Sequence, residues 1–168
     1  MDRLTLPVRL DPNSAEPLEL ARMQVVPSWI DYNGHMTEGR YLLACSEVTD
    51  VFLNAIGVDI GYVRAGRSYY TVETHIMHLD ESHEGEQLVG TLQLLAADDK
   101  RLHVFVLFRV GERPVASIEQ MLLHVDATAG KAMPADPGVL TKVYGIAETH
   151  ASLPRPQNVG RFVGASRL

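Results

Sequence analysis

A chain of 168 residues, 46% apolar and 21% charged, fits a single globular domain that buries roughly two-thirds of its unfolded surface. Its net charge of −6 excludes a general nucleic-acid binder, which needs a basic face to displace counterions from phosphate. The single cysteine, Cys45, excludes an intrachain disulfide and a four-thiolate zinc site. Set among Leu42, Leu43, Ala44 and Val48, it reads as a small buried apolar residue rather than a nucleophile.

Residues 1–17 carry Pro7, Pro12, Asn13 and Pro17 and read as an irregular leader. They hold no continuous apolar stretch of the kind that directs export, and no later run is long enough to span a bilayer, so a cytoplasmic protein without a membrane partner is expected. A strand follows near Leu18–Val26 and stops at Pro27, which has no N–H to continue a ladder. After a polar loop comes the one strong helical pattern. Tyr41, Ala44, Cys45, Val48, Val51, Phe52, Ala55 and Ile56 recur at three- and four-residue intervals on one face. Thr37 suits its N-cap and Gly57 its C-terminal stop.

From Ser68 the period changes to two. Tyr70, Val72, Thr74 and Ile76 alternate with Tyr69, Thr71, Glu73 and His75, and three more strands are predicted at Leu88–Ala97, Arg101–Val110 and Pro114–Asp126. Short turns at 98–100 and 111–113 make the neighbours antiparallel. The tail, with Pro134, Pro137, Pro154 and Pro156, is predicted to hold a short helix near Pro137–Glu148 and then to fray. The whole is one domain over 1–168, with a core at about 18–128 and a C-terminal extension over 129–168. One helix cannot cover both faces of a sheet so rich in Val, Leu and Phe, so a second copy of the chain is the expected partner.

The segment 27–37, Pro-Ser-Trp-Ile-Asp-Tyr-Asn-Gly-His-Met-Thr, gathers polar and aromatic groups just before the helix. A helix start offers unpaired N–H groups and partial positive charge, and Gly34 lets backbone approach a ligand closely. Backbone donors at Gly34, His35 and Met36 would then hold an oxyanion. Asp31 would attack a carbonyl or activate water, Asn33 would orient either, and His35 would hydrogen-bond the carboxylate or the carbonyl. The same residues equally describe an Asx-turn and helix cap in which Asp31 and Asn33 only fold the loop.

Trp29-Ile30-Asp31-Tyr32-Asn33-Gly34-His35-Met36, with Tyr41 on the helix, resembles the entry motif of the hotdog thioesterases related to 4-hydroxybenzoyl-CoA thioesterase and the plant acyl-carrier-protein thioesterases. The resemblance implies an α+β hotdog fold: a long central helix wrapped by a curved antiparallel sheet, in an obligate dimer or dimer of dimers with active sites at the interface. It makes Asp31 the catalytic carboxylate, with Asn33 and His35 at the polar positions of the motif. Four stretches, Glu38–Tyr41, Ser68–Ile76, Lys100–His103 and Glu119–Asp126, are further similar to the thioesterases associated with L-carnitine dehydrogenase. That similarity implies hydrolysis of betainyl-CoA to glycine betaine and CoA, with no cofactor because coenzyme A is part of the substrate. Thr37 departs from the pattern, in which Asn commonly follows His-Met.

Further candidates attach to this reading. Glu47 on the helix is a rival carboxylate. Trp29, Tyr32, Tyr69 and Tyr70, with Glu73, would suit a trimethylammonium group, which has no donors and is held by ring faces and carboxylate; the plainer reading makes the rings, Tyr62 among them, core and interface packing. Arg64, Arg67, Lys100 and Arg101 are either a patch for an anionic group or solvated surface. His75 and His78, three apart on a strand, point to opposite faces and form no simple metal pair, so no metal is expected. The alternatives are a thioesterase for another short-chain acyl-CoA, a hotdog hydratase or dehydratase, and an acyl-CoA sensor. The Asp-x-Asn-Pro-x-His spacing of hydratases is broken here, because Gly34 alone separates Asn33 from His35. A sensor would normally bring a DNA-binding segment, and no basic helix-turn-helix accompanies this domain.

Overall fold

The computed structural model describes residues 16–164, so the expected leader lies almost wholly outside it. Strand β1 (Leu18–Gln24) leads through a 3-10 turn at Pro27–Trp29 to helix α1 (Glu38–Ile56). A five-residue helix, α2 (Ile60–Arg64), precedes β2 (Arg67–His78), β3 (Gln87–Ala97), β4 (Arg101–Val110) and β5 (Arg113–Asp126). A two-residue strand, β6 (Lys131–Ala132), and helix α3 (Pro137–His150) close the chain. The sheet is antiparallel in the order β1-β3-β4-β5-β2, with β6 added to the end of β5. It curls around α1 as the α+β reading expects. Helix α2 and the 3-10 turn carry too few residues for a periodic signal.

Helix α1 buries Tyr41, Ala44, Cys45, Val48, Thr49, Phe52, Leu53 and Ile56, while Val51 and Ala55 are only half-buried. Its apolar stripe is therefore rotated slightly toward Thr49 and Leu53. Burying Thr49 is possible because its hydroxyl donates to Gln120 Oε1 at 3.1 Å, and Gln120 Nε2 donates in turn to Thr74 at 3.3 Å. Gly57 ends the helix in the left-handed region at φ 101°, its N–H returning to the Asn54 and Leu53 carbonyls. Leu92, Leu94, Val104, Val106, Phe108, Ile118 and Leu122 form one core cluster with the helix stripe. The helix packs tightly on Gly90, where a Cβ would lie 2.7 Å from Val48 Cγ2 and 2.8 Å from Phe108 Cε1.

Curvature comes from register shifts, each of which inserts a residue and bends its strand. They fall in β1 between Glu19 and Ala21, in β2 between Thr71 and Glu73, and in β3 between Leu94 and Ala96. A fourth separates Phe108 from Arg109 in the β4–β5 pairing. The shift in β2 corrects the expected alternation. Tyr69 and Thr71 pair with the core-facing His124 and Leu122, but Glu73 and His75 pair with Met121 and Glu119 on the outer face. Glu73 therefore does not share a face with Tyr69. His75 and His78 do lie on opposite faces, since His78 pairs with core-facing Ala116.

The segment after α3 does not fray but crosses the outer face of the sheet. Gln93 donates to the Pro154 carbonyl at 3.4 Å, Asn158 to Ser117 at 3.3 Å, and the Gly160 N–H to Glu119 at 2.7 Å. At its start His150 Nδ1 accepts the Leu94 N–H at 2.9 Å, which fills the backbone donor freed by the shift in β3. The chain thus covers part of the face for which a second copy was expected. No helix among the described residues is long and apolar enough to cross a membrane. Because Gly90 has no room for a methyl group, Gly90→Ala is expected to lower stability by about 1–3 kcal/mol in chemical denaturation; an unchanged midpoint would mean that α1 does not seat on β3 at this point.

Candidate active site

The loop between β1 and α1 is a closed turn built by its own backbone. The Asp31 N–H bonds the His35 carbonyl at 3.1 Å, the Gly34 N–H bonds the Asp31 carbonyl at 3.0 Å, and the Thr37 N–H bonds the Trp29 carbonyl at 2.9 Å. Gly34 takes φ 85°, which no other residue type adopts comfortably. One oxygen of Asp31, Oδ1, accepts the Asn33 N–H at 2.7 Å. The Asx-turn and the catalytic reading are thus compatible: one carboxylate oxygen folds the loop, and Oδ2 makes no hydrogen bond among the described residues.

A second loop, 79–86, locks this turn in place. Fully buried Ser82 accepts the Met36 N–H on its carbonyl at 2.7 Å and the Tyr41 hydroxyl on its Oγ at 2.9 Å. Burial raises the Tyr41 phenol pKa, partly offset by the Ser82 bond. Arg113 reaches the Asp80 carboxylate at 3.1 Å and Glu86 at 3.0 Å, and donates to the Glu81 carbonyl. The Glu81 N–H and Arg113 together hold the Asp80 carboxyl below the usual range. His83 Nδ1 lies 3.3 Å from the Gly34 carbonyl.

Between the two loops and the start of α1 lies a cavity of about 730 Å³, lined by Asp31, Tyr32, Asn33, His35, Met36, Tyr41, His78 and Glu81 among others. His35 Nε2 is 3.7 Å from Glu81 Oε1, and His83 Nε2 is 3.8 Å from Glu81 Oε2. Asp31, Asn33 and His35 are thereby brought together, and Tyr32 stands at the mouth, 97% exposed. Of the backbone donors expected, Gly34 and Met36 are already committed to carbonyls; the His35 N–H has no acceptor among the described residues. Thr37 occupies the N-cap position in extended backbone, but its hydroxyl makes no capping bond. The first-turn N–H groups of Glu38 and Gly39 therefore have no acceptor among the described residues, and Glu38 lines the cavity with His35.

Other expected site residues fall elsewhere in the protomer. Trp29 is half-buried against the core. Tyr69 is buried with its ring 4.9 Å from that of His124, and its hydroxyl has no partner among the described residues. It stands nine residues from His78 along β2, about 30 Å at the strand rise. His124 also meets the Tyr62 hydroxyl at 2.8 Å, while Arg67 lies over the Tyr62 ring and pairs with Asp136. These rings form a packing cluster, not part of the cavity. Tyr70 is on the free edge of the sheet, and Glu73 is on its outer face beside Glu119 and the His103 that pairs with it. Glu47 lies outside the cavity, about 14 Å along the helix axis from Glu38; burial and then Asp50 raise its pKa. Arg101 is tied to Asp98 and Arg67 to Asp136, so half of the expected basic patch is committed within the chain.

Sequence reading overlooked the loop 79–86 entirely. Its signal was present: Asp80-Glu81-Ser82-His83-Glu84 is too long and too ionisable for a plain hairpin turn.

Comparison with known proteins agrees with this geometry. Residues 25–143 match the family model of the thioesterase-like superfamily. A betainyl-CoA thioesterase of Pseudomonas aeruginosa is 41% identical, over 83% of this chain and 90% of that protein. The L-carnitine dehydrogenase/betainyl-CoA thioesterase of Rhizobium meliloti is 50% identical over 92% of this chain, which spans about a third (32%) of its length. Among solved structures, a Pseudomonas putida protein superposes with TM-score 0.78 at 30% identity, covering 90% of this chain and 99% of that one. A Staphylococcus aureus protein determined in complex with CoA superposes with TM-score 0.80, at 21% identity over 84% of this chain and 90% of its own. With the family model covering both loops, α1 and the whole sheet beyond β1, the chain belongs to the thioesterase-like superfamily.

Proposed function

We propose that this protein hydrolyses betainyl-CoA to glycine betaine and CoA in the cytoplasm, with Asp31 as the catalytic carboxylate. The observation that carries the reading is the free Asp31 Oδ2 in a cavity beside open helix N–H groups. The near end-to-end match to a betainyl-CoA thioesterase supports the substrate. In the hydrolysis, Asp31 Oδ2 takes a proton from an attacking water, or adds to the carbonyl itself. Negative charge on the carbonyl oxygen meets the N–H groups of His35, Glu38 and Gly39. The C–S bond then breaks and CoA leaves as a thiolate. In the first route it takes up the proton that Asp31 removed from water. In the second, water hydrolyses the acyl–Asp31 anhydride, which releases the acid, restores the carboxylate and supplies the proton. A thiolate is a good leaving group, so no strong general acid is required. The Asn33 N–H bond to Oδ1 keeps the carboxylate aimed, and the Asn33 amide, exposed at the mouth, is positioned to orient the water. No cofactor or metal enters this chemistry.

The outer edge of β2, unpaired among the described residues, supports a homodimer. It is twelve residues long and free of proline, with Tyr70 51% and Val72 57% exposed, the kind of edge that proteins seldom leave open. Antiparallel pairing of two such edges about a two-fold axis brings the Tyr70 end of one β2 toward the His75–His78 end of its partner. Tyr70, remote from Asp31 within one protomer, would then approach the other protomer's cavity.

Thiol release from betainyl-CoA tests the reaction directly. Cys45 adds no background, because burial pushes its thiol pKa up to about 12. Asp31→Asn and Asp31→Ala are each expected to cost roughly 10²–10⁴ in kcat; wild-type rates in both would overturn the mechanism. In light scattering the protein is expected at two or four times its 18.6 kDa chain mass, and Val72→Lys is expected to yield monomers of low activity. A fully active monomer at micromolar concentration would exclude a site completed across the β2 edge.

A further inference from the structure

We propose that Glu81 is the specificity-determining residue that reads the positive charge of the acyl group. The assignment rests on the betainyl-CoA reading above and locates its selectivity. In that substrate a single methylene separates the quaternary nitrogen from the thioester carbonyl. The group that senses the charge must therefore share a cavity with Asp31. Glu73, the mid-strand candidate, does not: the register shift at Val72 turns it to the outer face.

Four carboxylates line the cavity, those of Asp31, Glu38, Asp80 and Glu81, and no Lys or Arg does. Three are engaged. Asp31 folds its own loop and faces the reacting carbonyl. Asp80 is neutralised by Arg113 at 3.1 Å and accepts the Glu81 N–H at 2.8 Å. Glu38 sits in the first turn of α1, against the partial positive charge of the helix start. Among the described residues the Glu81 carboxylate pairs only with the two imidazoles of His35 and His83, at 3.7 and 3.8 Å, both beyond hydrogen-bond distance.

The backbone that carries this half-exposed carboxylate is fixed. The Glu81 N–H is bonded to Asp80 and its carbonyl accepts from Arg113. The next residue, Ser82, is pinned by Met36 and Tyr41. A trimethylammonium group has no donors, so it gains nothing from a hydrogen-bond acceptor as such and responds to fixed charge and ring faces. Glu81 supplies the charge, and Tyr32 and Tyr41 line the same cavity.

The test compares kcat/KM for betainyl-CoA and for 3,3-dimethylbutanoyl-CoA, the neutral isostere with carbon in place of nitrogen. Wild type is expected to prefer the cation. Glu81→Gln is expected to lower kcat/KM for betainyl-CoA by about tenfold more than for the isostere, the scale of one charge contact in a partly solvated site. Glu81→Asp is expected to restore part of the preference, and free glycine betaine should inhibit Glu81→Gln more weakly than wild type. An equal fall on both substrates, or a preference intact in Glu81→Gln, overturns the assignment while leaving the betainyl-CoA reading standing. Loss of the preference in Glu38→Gln or Glu73→Gln but not in Glu81→Gln overturns it equally. A wild type that does not favour betainyl-CoA over the isostere removes both.

Discussion

The cavity exists because Ser82 holds two loops together. Its carbonyl takes the Met36 N–H and its hydroxyl takes that of Tyr41, both in a fully buried position. The first bond ties the turn that presents Asp31 to the loop that presents Glu81, and the second ties that loop to the first turn of α1. Without them the Asp31 turn would be joined to the rest of the site through the ends of β1 and α1 and the exposed His83 contact with the Gly34 carbonyl. Buried polar contacts of this kind stabilise little on balance but cost much when broken, because a partner is left unsatisfied away from water. They therefore fix one arrangement of the site more than they strengthen the fold.

The same contact explains which backbone donors are free. The Met36 N–H, an attractive oxyanion donor from its place in the sequence, is used in holding the loops, and the Gly34 N–H closes the turn. The open donors lie one step further on, at His35 and in the uncapped first turn of α1. Thr37 gives this its physical sense. A capping hydroxyl would satisfy one of the helix N–H groups, and leaving that bond unmade keeps the donors available to a developing negative charge.

The elements themselves were legible where period and punctuation agree. Arg101–Val110 is a run rich in Leu, Val and Phe between two turn-forming triplets, and its strand has those same ends. Helix α1 announced itself by its stripe and by Gly57. What alternation cannot show is an inserted residue. Nothing in Tyr69–Ile76 marks Val72 as the point where the pleat slips, yet the slip moves Glu73 to the opposite face from Tyr69 and empties the expected cation cage of its carboxylate. The tail was illegible for another reason. Its proline-rich residues 151–164 are held on the outer face by single hydrogen bonds to Gln93, Ser117 and Glu119, not by any periodic pattern. The composition of the Asp31 loop fits a cap as well as a site, and its resemblance to the thioesterase motif decides between them. The 79–86 loop, equally rich in function-bearing groups, lies outside every stretch that carries the resemblance.

Charge joins these points. A substrate that is cationic at its acyl end and anionic at its nucleotide end places opposite demands on a single protein surface. The cavity around Asp31 carries carboxylates and no Lys or Arg, so it suits the acyl end and repels phosphate. In the transition state a negative oxygen and a positive nitrogen would stand two carbons apart, and the cavity offers open N–H groups and the Glu81 carboxylate as neighbours. Donors at the helix start attract the oxygen and the loop carboxylate attracts the nitrogen, so each reinforces the orientation set by the other. The phosphates are then left to surface outside this cavity. Arg64, exposed at the end of α2 and just before the free β2 edge, lies on the side that edge pairing would turn toward a second protomer's site.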